Sequence, residues 1–264
     1  MVQLDIAGLM NQAHCMQFID KICALQRDGV YGPIPDRNWV LASLLPNRKM
    51  NILDIGACNF VFNELLSREQ TALYDYHTLD IQASDTKPEW VHEHLHDCNL
   101  PGYPVPDNYF DLIICSDVIE HIKEEDVLLD ECRRKLKQDG ILFLTTPNYA
   151  NLPSLRNMLS GRMLHDPCGN ELEQYCFKEH VRYYTTRDII PYLKENKFHT
   201  SHVILYGLVT VLPKKGALTR FLVSTLYNRL CLLRSRFSHQ ATLILQKTPV
   251  RPKVIRCPLI TVQK

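Results

Sequence analysis

The stretch Asn51-Ile-Leu-Asp-Ile-Gly56 decides the fold of this 264-residue chain. It continues an apolar run that begins at Met50, contains a single charged residue, Asp54, and ends at a glycine. A short, bounded apolar run of this kind is typical of a strand that is buried on both faces, as strands of parallel sheets are. The stretch therefore predicts the first strand of a parallel sheet.

Strand and helix patterns alternate around this first strand. Further strands are predicted at 76–79, 90–96, 110–115, 141–145, 203–209 and 241–246, and helices at 60–68, 124–137 and 185–196. Such alternation implies parallel strands joined by right-handed crossovers, with helices on both faces of the sheet. We therefore predict a doubly wound, mostly parallel α/β sheet of seven strands.

Three acidic residues stand where predicted strands end, namely Asp54, Asp80 and Asp97. Because ligands of such sheets bind beyond the carboxyl ends of the strands, these residues are candidates for one binding site. A carboxylate after the second strand can accept hydrogen bonds from both ribose hydroxyls, which fits Asp80. Each acid can instead cap the turn that follows it, and the sequence leaves that alternative open.

The turn after the first strand discriminates between nucleoside cofactors. A dinucleotide site needs three close-approach glycines around the pyrophosphate, whereas Gly56-Ala-Cys-Asn-Phe60 contains one. S-adenosylmethionine has no phosphate, so one glycine and Asp54 near its ammonium group suffice. The turn favours S-adenosylmethionine over a nicotinamide dinucleotide.

Five segments, taken in order, resemble the motifs of the class I S-adenosylmethionine-dependent methyltransferases, in particular small-molecule enzymes of the type 11/12-like group. The resemblance covers roughly residues 35–200 and implies that family's fold, with an antiparallel last strand, and S-adenosylmethionine as cofactor. The segments are Asn51-Ile-Leu-Asp-Ile-Gly56, Leu79-Asp80, His96-Asp-Cys-Asn-Leu-Pro101, residues 107–122 and residues 135–148.

The resemblance also implies roles for individual residues. Asp80 would hold the ribose, and Asp97 would bind the adenine amino group with the Cys98 amide beside it. Ser116 would lie at the sulfonium end of the cofactor. Together with Asp54 and Gly56, these residues form the predicted cofactor site.

The sequence departs from the family at Cys58 and Phe60, where glycines are usual. Either the cofactor loop takes a different path, or cofactor binding has been weakened. The second possibility leads to an alternative hypothesis, a methyltransferase-like fold that no longer catalyses and serves as a partner or regulatory subunit. Titration with the methyl donor separates the two hypotheses.

Two histidines are predicted candidates for the general base that a hydroxyl acceptor requires. His121 follows Asp117 by one turn if this segment is helical, so the carboxylate could orient the imidazole. His180 resembles a histidine near the acceptor site of several small-molecule methyltransferases. For each, the alternative is a structural histidine that is hydrogen-bonded to the backbone.

His92, His94 and His96 alternate along a predicted strand and therefore share one face. That pattern suggests a metal site, but a strand inside a parallel sheet is covered on both faces. We therefore predict no metal ligands.

The long connection 148–182 predicts a substrate lid, and its tyrosines and histidines suit a small-molecule or glycan hydroxyl as the acceptor.

Residues 214–237 predict a basic amphipathic helix, which either packs on the sheet or contacts an anionic membrane surface. We divide the chain into an N-terminal helical cap (1–48), a methyltransferase domain (49–248) and a tail (249–264).

Composition limits the remaining classes of function. A net charge of +1 and the absence of a dense basic groove argue against a nucleic-acid partner. Ten cysteines are scattered without a CxxC pair, which argues against zinc ribbons and disulfide scaffolds. Residues 1–10 lack a basic segment and a long apolar run, so they do not predict a secretory signal, and we expect a cytoplasmic protein.

Overall fold

The computed structural model describes residues 41–42, 44–57, 66–84, 87–161, 180–205, 210–212, 240–256 and 261–263. Several features predicted from the sequence lie outside these residues, namely most of the N-terminal cap, the turn residues Cys58 and Phe60, the middle of the lid and the basic amphipathic helix.

The described elements follow the predicted alternation. The strands are β1 (Met50–Ile55), β2 (Tyr74–Asp80), β3 (Val91–Leu95), β4 (Phe110–Ser116), β5 (Leu136–Pro147), β6 (His199–Leu205), β7 (Thr210–Leu212), β8 (Gln240–Gln246), β9 (Lys253–Arg256) and β10 (Thr261–Gln263). The helices are α1 (Arg68–Leu73), α2 (Glu125–Lys135), α3 (Leu152–Leu159) and α4 (Thr186–Glu195), with a 3-10 helix at Ile119–His121.

Eight of these strands form one sheet, in the order β3-β2-β1-β4-β5-β8-β6-β9. Neighbouring strands run parallel, except that β8 is antiparallel to both β5 and β6. The order reverses between β1 and β4, which is the switch point of a doubly wound sheet. The predicted fold class and the antiparallel last strand of the methyltransferase domain are therefore confirmed.

The sheet has one strand more than the seven predicted from the sequence. Residues Lys253–Arg256, which we assigned to the tail, pair in parallel with β6 and form an outer strand. Pro252 directly precedes this strand and has no N–H to donate, so it is tolerated only near a strand start or a sheet edge. The short length of β9 and its neighbouring proline explain why periodicity did not reveal it.

Strand β5 begins five residues earlier than predicted. Its pairing with β4 shifts register between Phe110 and Leu112, and the residues opposite this shift include Gly140. A Cβ atom on Gly140 would lie 2.9 Å from the Phe110 carbonyl oxygen and 2.8 Å from a Leu136 methyl group. Gly140 is thus needed for close packing within the strand.

The core lies on both faces of the central strands. One face buries Leu53, Ile113 and Leu142 against residues of α2 and α4, including Leu128 and Leu193. The alternate residues on the other face are also buried: Ile52, Leu112, Ile114, Ile141 and Phe143. A strand that is buried on both sides reads as a continuous apolar run, which is why the β1 prediction succeeded.

Strand β3 is an outer strand, so the prediction that both of its faces are covered is wrong. The His92 side chain is 62% exposed, and Leu95 is exposed as well. His96 lies beyond the end of the strand, where its ring meets Tyr103 edge-on with centroids 5.3 Å apart. The three alternating histidines therefore do not share one environment.

Candidate active site

The carboxyl ends of β1, β2 and β4 bring four predicted site residues to one edge of the sheet. Asp54 and Asp80 lie at the ends of β1 and β2, and Ser116 is the last residue of β4. Gly56 follows β1 directly, and its amide donates to the Leu79 carbonyl at 2.9 Å. This edge lies at the switch point, where a doubly wound sheet binds its ligand.

Position 56 requires a glycine, both because of its backbone conformation and because of the side chain packed against it. Its φ is +70°, a left-handed conformation that glycine adopts without steric cost. A Cβ atom at this position would lie only 2.5 Å from Cγ2 of Val118. The turn after β1 therefore approaches the turn after β4 more closely than any other residue would allow.

Asp54 is a buried acid at this edge. Its Oδ2 accepts a hydrogen bond of 2.7 Å from the hydroxyl of Tyr76, which is also buried. Burial raises the pKa of Asp54 from 3.8 to about 7; the Tyr76 hydrogen bond opposes this shift, and the nearby Asp80 carboxylate adds to it. A cation placed beside Asp54 would favour its charged form.

Asp54→Asn should stabilise the protein above pH 7. Between pH 4 and 7 the folded state retains a proton that the unfolded state has lost. The free energy of unfolding of the wild type therefore falls by up to about 1.4 kcal/mol per pH unit as pH rises. The variant should lack this slope, matching the wild type near pH 4 and exceeding it at pH 8 in urea denaturation. Asp130→Asn, at an exposed position, is the control, and equal slopes in both variants would contradict the assignment.

Asp80 combines a capping role with a position suited to ligand binding. Its Oδ1 accepts from the amides of Ile81 at 2.7 Å and Gln82 at 3.3 Å, so it stabilises the turn after β2. Partial burial, and more weakly the charge of Glu93, raise the pKa of Asp80 above its usual value. The capping alternative is thus realised through one carboxylate oxygen of Asp80, and its role at a ribose stays a prediction.

Asp97 and Cys98 form the loop after β3. Asp97 is exposed, and its Oδ1 accepts from the Asn99 backbone at 2.9 Å and side chain at 2.8 Å, which lowers the pKa of Asp97. Cys98 is buried, and its carbonyl accepts from the Tyr103 hydroxyl at 3.0 Å. Asn99 in turn accepts from the Lys123 amide at 2.8 Å, which ties this loop to the segment before α2.

Ser116 belongs to a polar network that the sequence did not reveal. Its hydroxyl lies 3.0 Å from the Thr145 hydroxyl, which donates to Asp117 at 2.8 Å. The Gln240 side-chain amide also donates to Asp117 at 3.0 Å. These residues come from the ends of β4 and β5 and from the start of β8, so only the sheet order brings them together.

Asp117 has a φ of +54°, and the following helix is a 3-10 helix that begins at Ile119. Asp117 and His121 are therefore not one turn apart on a continuous helix. The prediction that Asp117 and His121 lie one helical turn apart, so that the carboxylate orients the imidazole, is therefore wrong in its helical geometry.

The two predicted base candidates lie against each other. The rings of His121 and His180 meet edge-on with centroids 4.6 Å apart. Nδ1 of the buried His180 lies 2.6 Å from the Tyr149 hydroxyl, a partner that we did not predict. A carboxylate oxygen of buried Glu120 and one nitrogen of each histidine all lie within 4.8 Å of one another.

The segment that carries His180 is fixed to the loop after β4. The amides of Val181 and Arg182 donate to the Glu120 carbonyl at 2.8 and 3.2 Å. The Arg182 guanidinium also pairs with Glu125 at 2.5 Å, and the Tyr184 hydroxyl donates to the same carboxylate at 3.1 Å. These contacts hold the end of the predicted lid beside the carboxyl edge of the sheet.

Comparison with known proteins agrees with this geometry. Residues 28–203 match the family described as a methyltransferase domain. The chain belongs to this family. Membership implies S-adenosylmethionine as the cofactor, as the sequence motifs did.

Individual curated relatives match parts of the chain. An uncharacterized protein of Methanocaldococcus jannaschii is 30% identical over 116 residues, which cover 44% of this chain and 49% of that protein. The ubiquinone biosynthesis O-methyltransferase of Glaesserella parasuis is 41% identical over 39 residues, or 15% of this chain and 16% of that enzyme. The chain thus spans at most about half the length of these curated relatives.

Solved structures share the methyltransferase fold. A putative methyltransferase from Haloferax volcanii, solved in complex with the activator Trm112, aligns with a TM-score of 0.55 at 14% identity. The alignment covers 85% of this chain and 96% of that structure.

Membrane-spanning helices were also sought in the present protein. Among its described residues, no helix has the length and apolar character needed to cross a bilayer.

Proposed function

We propose that this chain is an S-adenosylmethionine-dependent methyltransferase that methylates a hydroxyl of a small molecule or glycan, with His180 as general base. The observation that carries the proposal is the cluster of His121, His180, Tyr149 and Glu120 beside the carboxyl edge of the sheet. The partial similarity to an O-methyltransferase supports an oxygen acceptor.

The residues at the sheet edge suit the proposed cofactor. Asp54 is a buried acid whose pKa is raised to about 7, so a sulfonium or ammonium group would stabilise its charged form. Gly56 lets the turn after β1 pack against Val118, where a Cβ atom would clash, and Asp80 presents a partly buried carboxylate for the ribose hydroxyls. When bound, S-adenosylmethionine supplies a methyl group already activated by the sulfonium.

His180 is proposed as the base because a second group orients its ring. If Nδ1–H donates to the Tyr149 oxygen, Nε2 carries the lone pair that accepts the hydroxyl proton of the acceptor. His121 packs edge-on against His180 and positions it. Proton removal and in-line transfer of the methyl group then occur with no covalent enzyme intermediate.

Tyrosines beside this cluster suit an acceptor with a flat or ring-shaped apolar face. Tyr149 meets Tyr183 edge-on with centroids 4.7 Å apart, and Tyr183 is half exposed. Aromatic walls with a few polar groups are typical of small-molecule sites. We extend the proposal to phenolic and sugar hydroxyls as the acceptor class.

Isotope-labelled S-adenosylmethionine tests the acceptor class. The protein is incubated with matched pairs of phenols and anilines, and with sugars and amino sugars, and the products are analysed by NMR of the labelled methyl carbon. We expect the label on oxygen, since an imidazole base favours acceptors that must lose a proton. Label found only on nitrogen would refute the oxygen assignment while leaving methyl transfer intact.

A further inference from the structure

A second cluster of ionisable groups lies on β2 and the outer strand β3, away from the candidate active site. Asp75 and His77 lie on β2, and His92 and His94 lie on β3. In the parallel pairing His77 stands beside His92, so their side chains share one face of the sheet. His77 is three residues from Asp80, roughly 10 Å along the strand from the proposed ribose carboxylate.

Two of the three distances between ligand atoms in this cluster match those of a tetrahedral metal site. Oδ1 of Asp75 lies 3.2 Å from Nε2 of His77 and 3.4 Å from Nε2 of His92. An ion with bonds of about 2.0–2.1 Å holds tetrahedral ligands about 3.3–3.4 Å apart. One ligand atom of each of the three residues lies within 4.8 Å of those of the other two.

Outer-shell hydrogen bonds to two of these ligands are already present. The Tyr109 hydroxyl donates to the other oxygen of Asp75. Nδ1 of His77 lies 2.9 Å from Nε2 of His94, and the two rings stack with centroids 5.2 Å apart. With its proton on Nδ1 and donated to His94, His77 presents the Nε2 lone pair toward Asp75, the arrangement that a shared cation requires. Metal-ligating histidines and carboxylates usually have such outer partners.

Burial and exposure also suit a metal site. The His77 side chain is only 13% exposed, so this ligand is held within the fold. The His92 side chain is 62% exposed, so an ion can enter from solvent and a water molecule can complete its coordination. Two imidazoles and one carboxylate suit zinc and neighbouring divalent transition metals better than calcium or magnesium.

We propose that Asp75, His77 and His92 bind a divalent transition-metal ion of the zinc type, which links β2 to the outer strand β3. The ion would cross-link two strands at the sheet edge and stabilise the fold, independently of methyl transfer. His94 and Tyr109 act as positioning residues for the ligands. Zinc bound to the folded state alone would raise the unfolding temperature of the protein.

The test measures Zn²⁺ and Co²⁺ binding to the full chain after chelator treatment. The wild type should bind one Zn²⁺ at this cluster, show the visible absorption of tetrahedral Co²⁺, and unfold at higher temperature with zinc. His92→Ala should abolish these effects, because it removes a ligand from an exposed position without opening a cavity. His94→Ala should weaken zinc binding by about 10–100-fold, as expected for an outer-shell partner.

Two controls make the outcome decisive. His96→Ala removes a neighbouring histidine outside the cluster and should leave zinc binding unchanged. The double variant His121→Ala and His180→Ala removes the other histidine pair and should retain the cobalt spectrum. The proposal is overturned if the wild type binds no zinc, if His92→Ala binds it as tightly as the wild type, or if only the double variant loses the ion. Circular dichroism of each variant checks that it is folded.

Discussion

His180→Ala should lower kcat for methyl transfer to a hydroxyl by about 10²–10⁴-fold, the usual contribution of a general base. KM for the methyl donor should change little, because the acids that we propose hold the donor lie at the ends of β1 and β2. Steady-state kinetics with the acceptor found in the labelling experiment measure both quantities. This is the largest effect on turnover that the proposed site predicts.

Added imidazole distinguishes a base from a structural histidine. The truncated side chain of His180→Ala leaves space beside Tyr149 and His121, and imidazole in solution should restore part of the lost kcat. Tyr149→Phe retains the ring but loses the hydroxyl, so its kcat should fall less than that of His180→Ala. If imidazole rescues His121→Ala instead, the two histidines have exchanged roles. If kcat is unchanged in both alanine variants, the base assignment is wrong.

Asp80→Asn should weaken binding of S-adenosylmethionine and S-adenosylhomocysteine by about 100-fold. The change removes the charge from hydrogen bonds that are each worth about 1.5–3 kcal/mol when one partner is ionised. The asparagine oxygen can still accept from the Ile81 and Gln82 amides, so the turn after β2 should be preserved. Isothermal titration calorimetry measures the affinities for both compounds.

Asp97→Asn is the matched control for Asp80→Asn. Asp97 also follows a strand and also accepts from its own turn, but it is exposed. Water screens its interactions, and its loss should weaken donor binding by less than about tenfold. Equal losses in the two variants would contradict the particular role assigned to Asp80, and no loss in either would remove both acids from the cofactor site.

The central fold could be predicted because its strands have strong local patterns. Strands β1 and β4 are buried on both faces, so their sequences are continuous apolar runs. The acids at strand ends could be predicted for a related reason, since parallel strands present their carboxyl ends at one edge. Local patterns do not contain the order of the strands in the sheet. The sequence therefore did not show that β3 is an outer, partly exposed strand.

Helix α1 was missed although its signal is present in the sequence. Ser67 and Gln70 form a capping box at the start of α1. The Ser67 backbone amide donates to the Gln70 side-chain oxygen at 2.9 Å, and the Gln70 backbone amide donates to the Ser67 hydroxyl at 3.2 Å. A serine followed three residues later by glutamine marks such a start. The helix predicted at 60–68 ends where α1 begins, and most of it lies outside the described residues.

The contacts of the candidate base required the folded chain. Each histidine was identified from its own segment, but their contact depends on how residues 180–184 pack on the loop after β4. Tyr149 reaches His180 from the end of β5 across 31 positions of sequence. The same holds for Asp75: His77 lies on the same strand, but His92 is brought to Asp75 by the pairing of β2 with β3.

Titration of the folded wild-type chain with S-adenosylmethionine and S-adenosylhomocysteine tests the central claim most directly. We expect both compounds to bind at one site per chain, and NADH not to bind, because the turn at Gly56 does not suit a pyrophosphate. Absence of binding by both compounds, with the protein shown to be folded, would contradict the cofactor site and favour a non-catalytic methyltransferase-like subunit. Binding of NADH in their place would contradict the choice of cofactor itself.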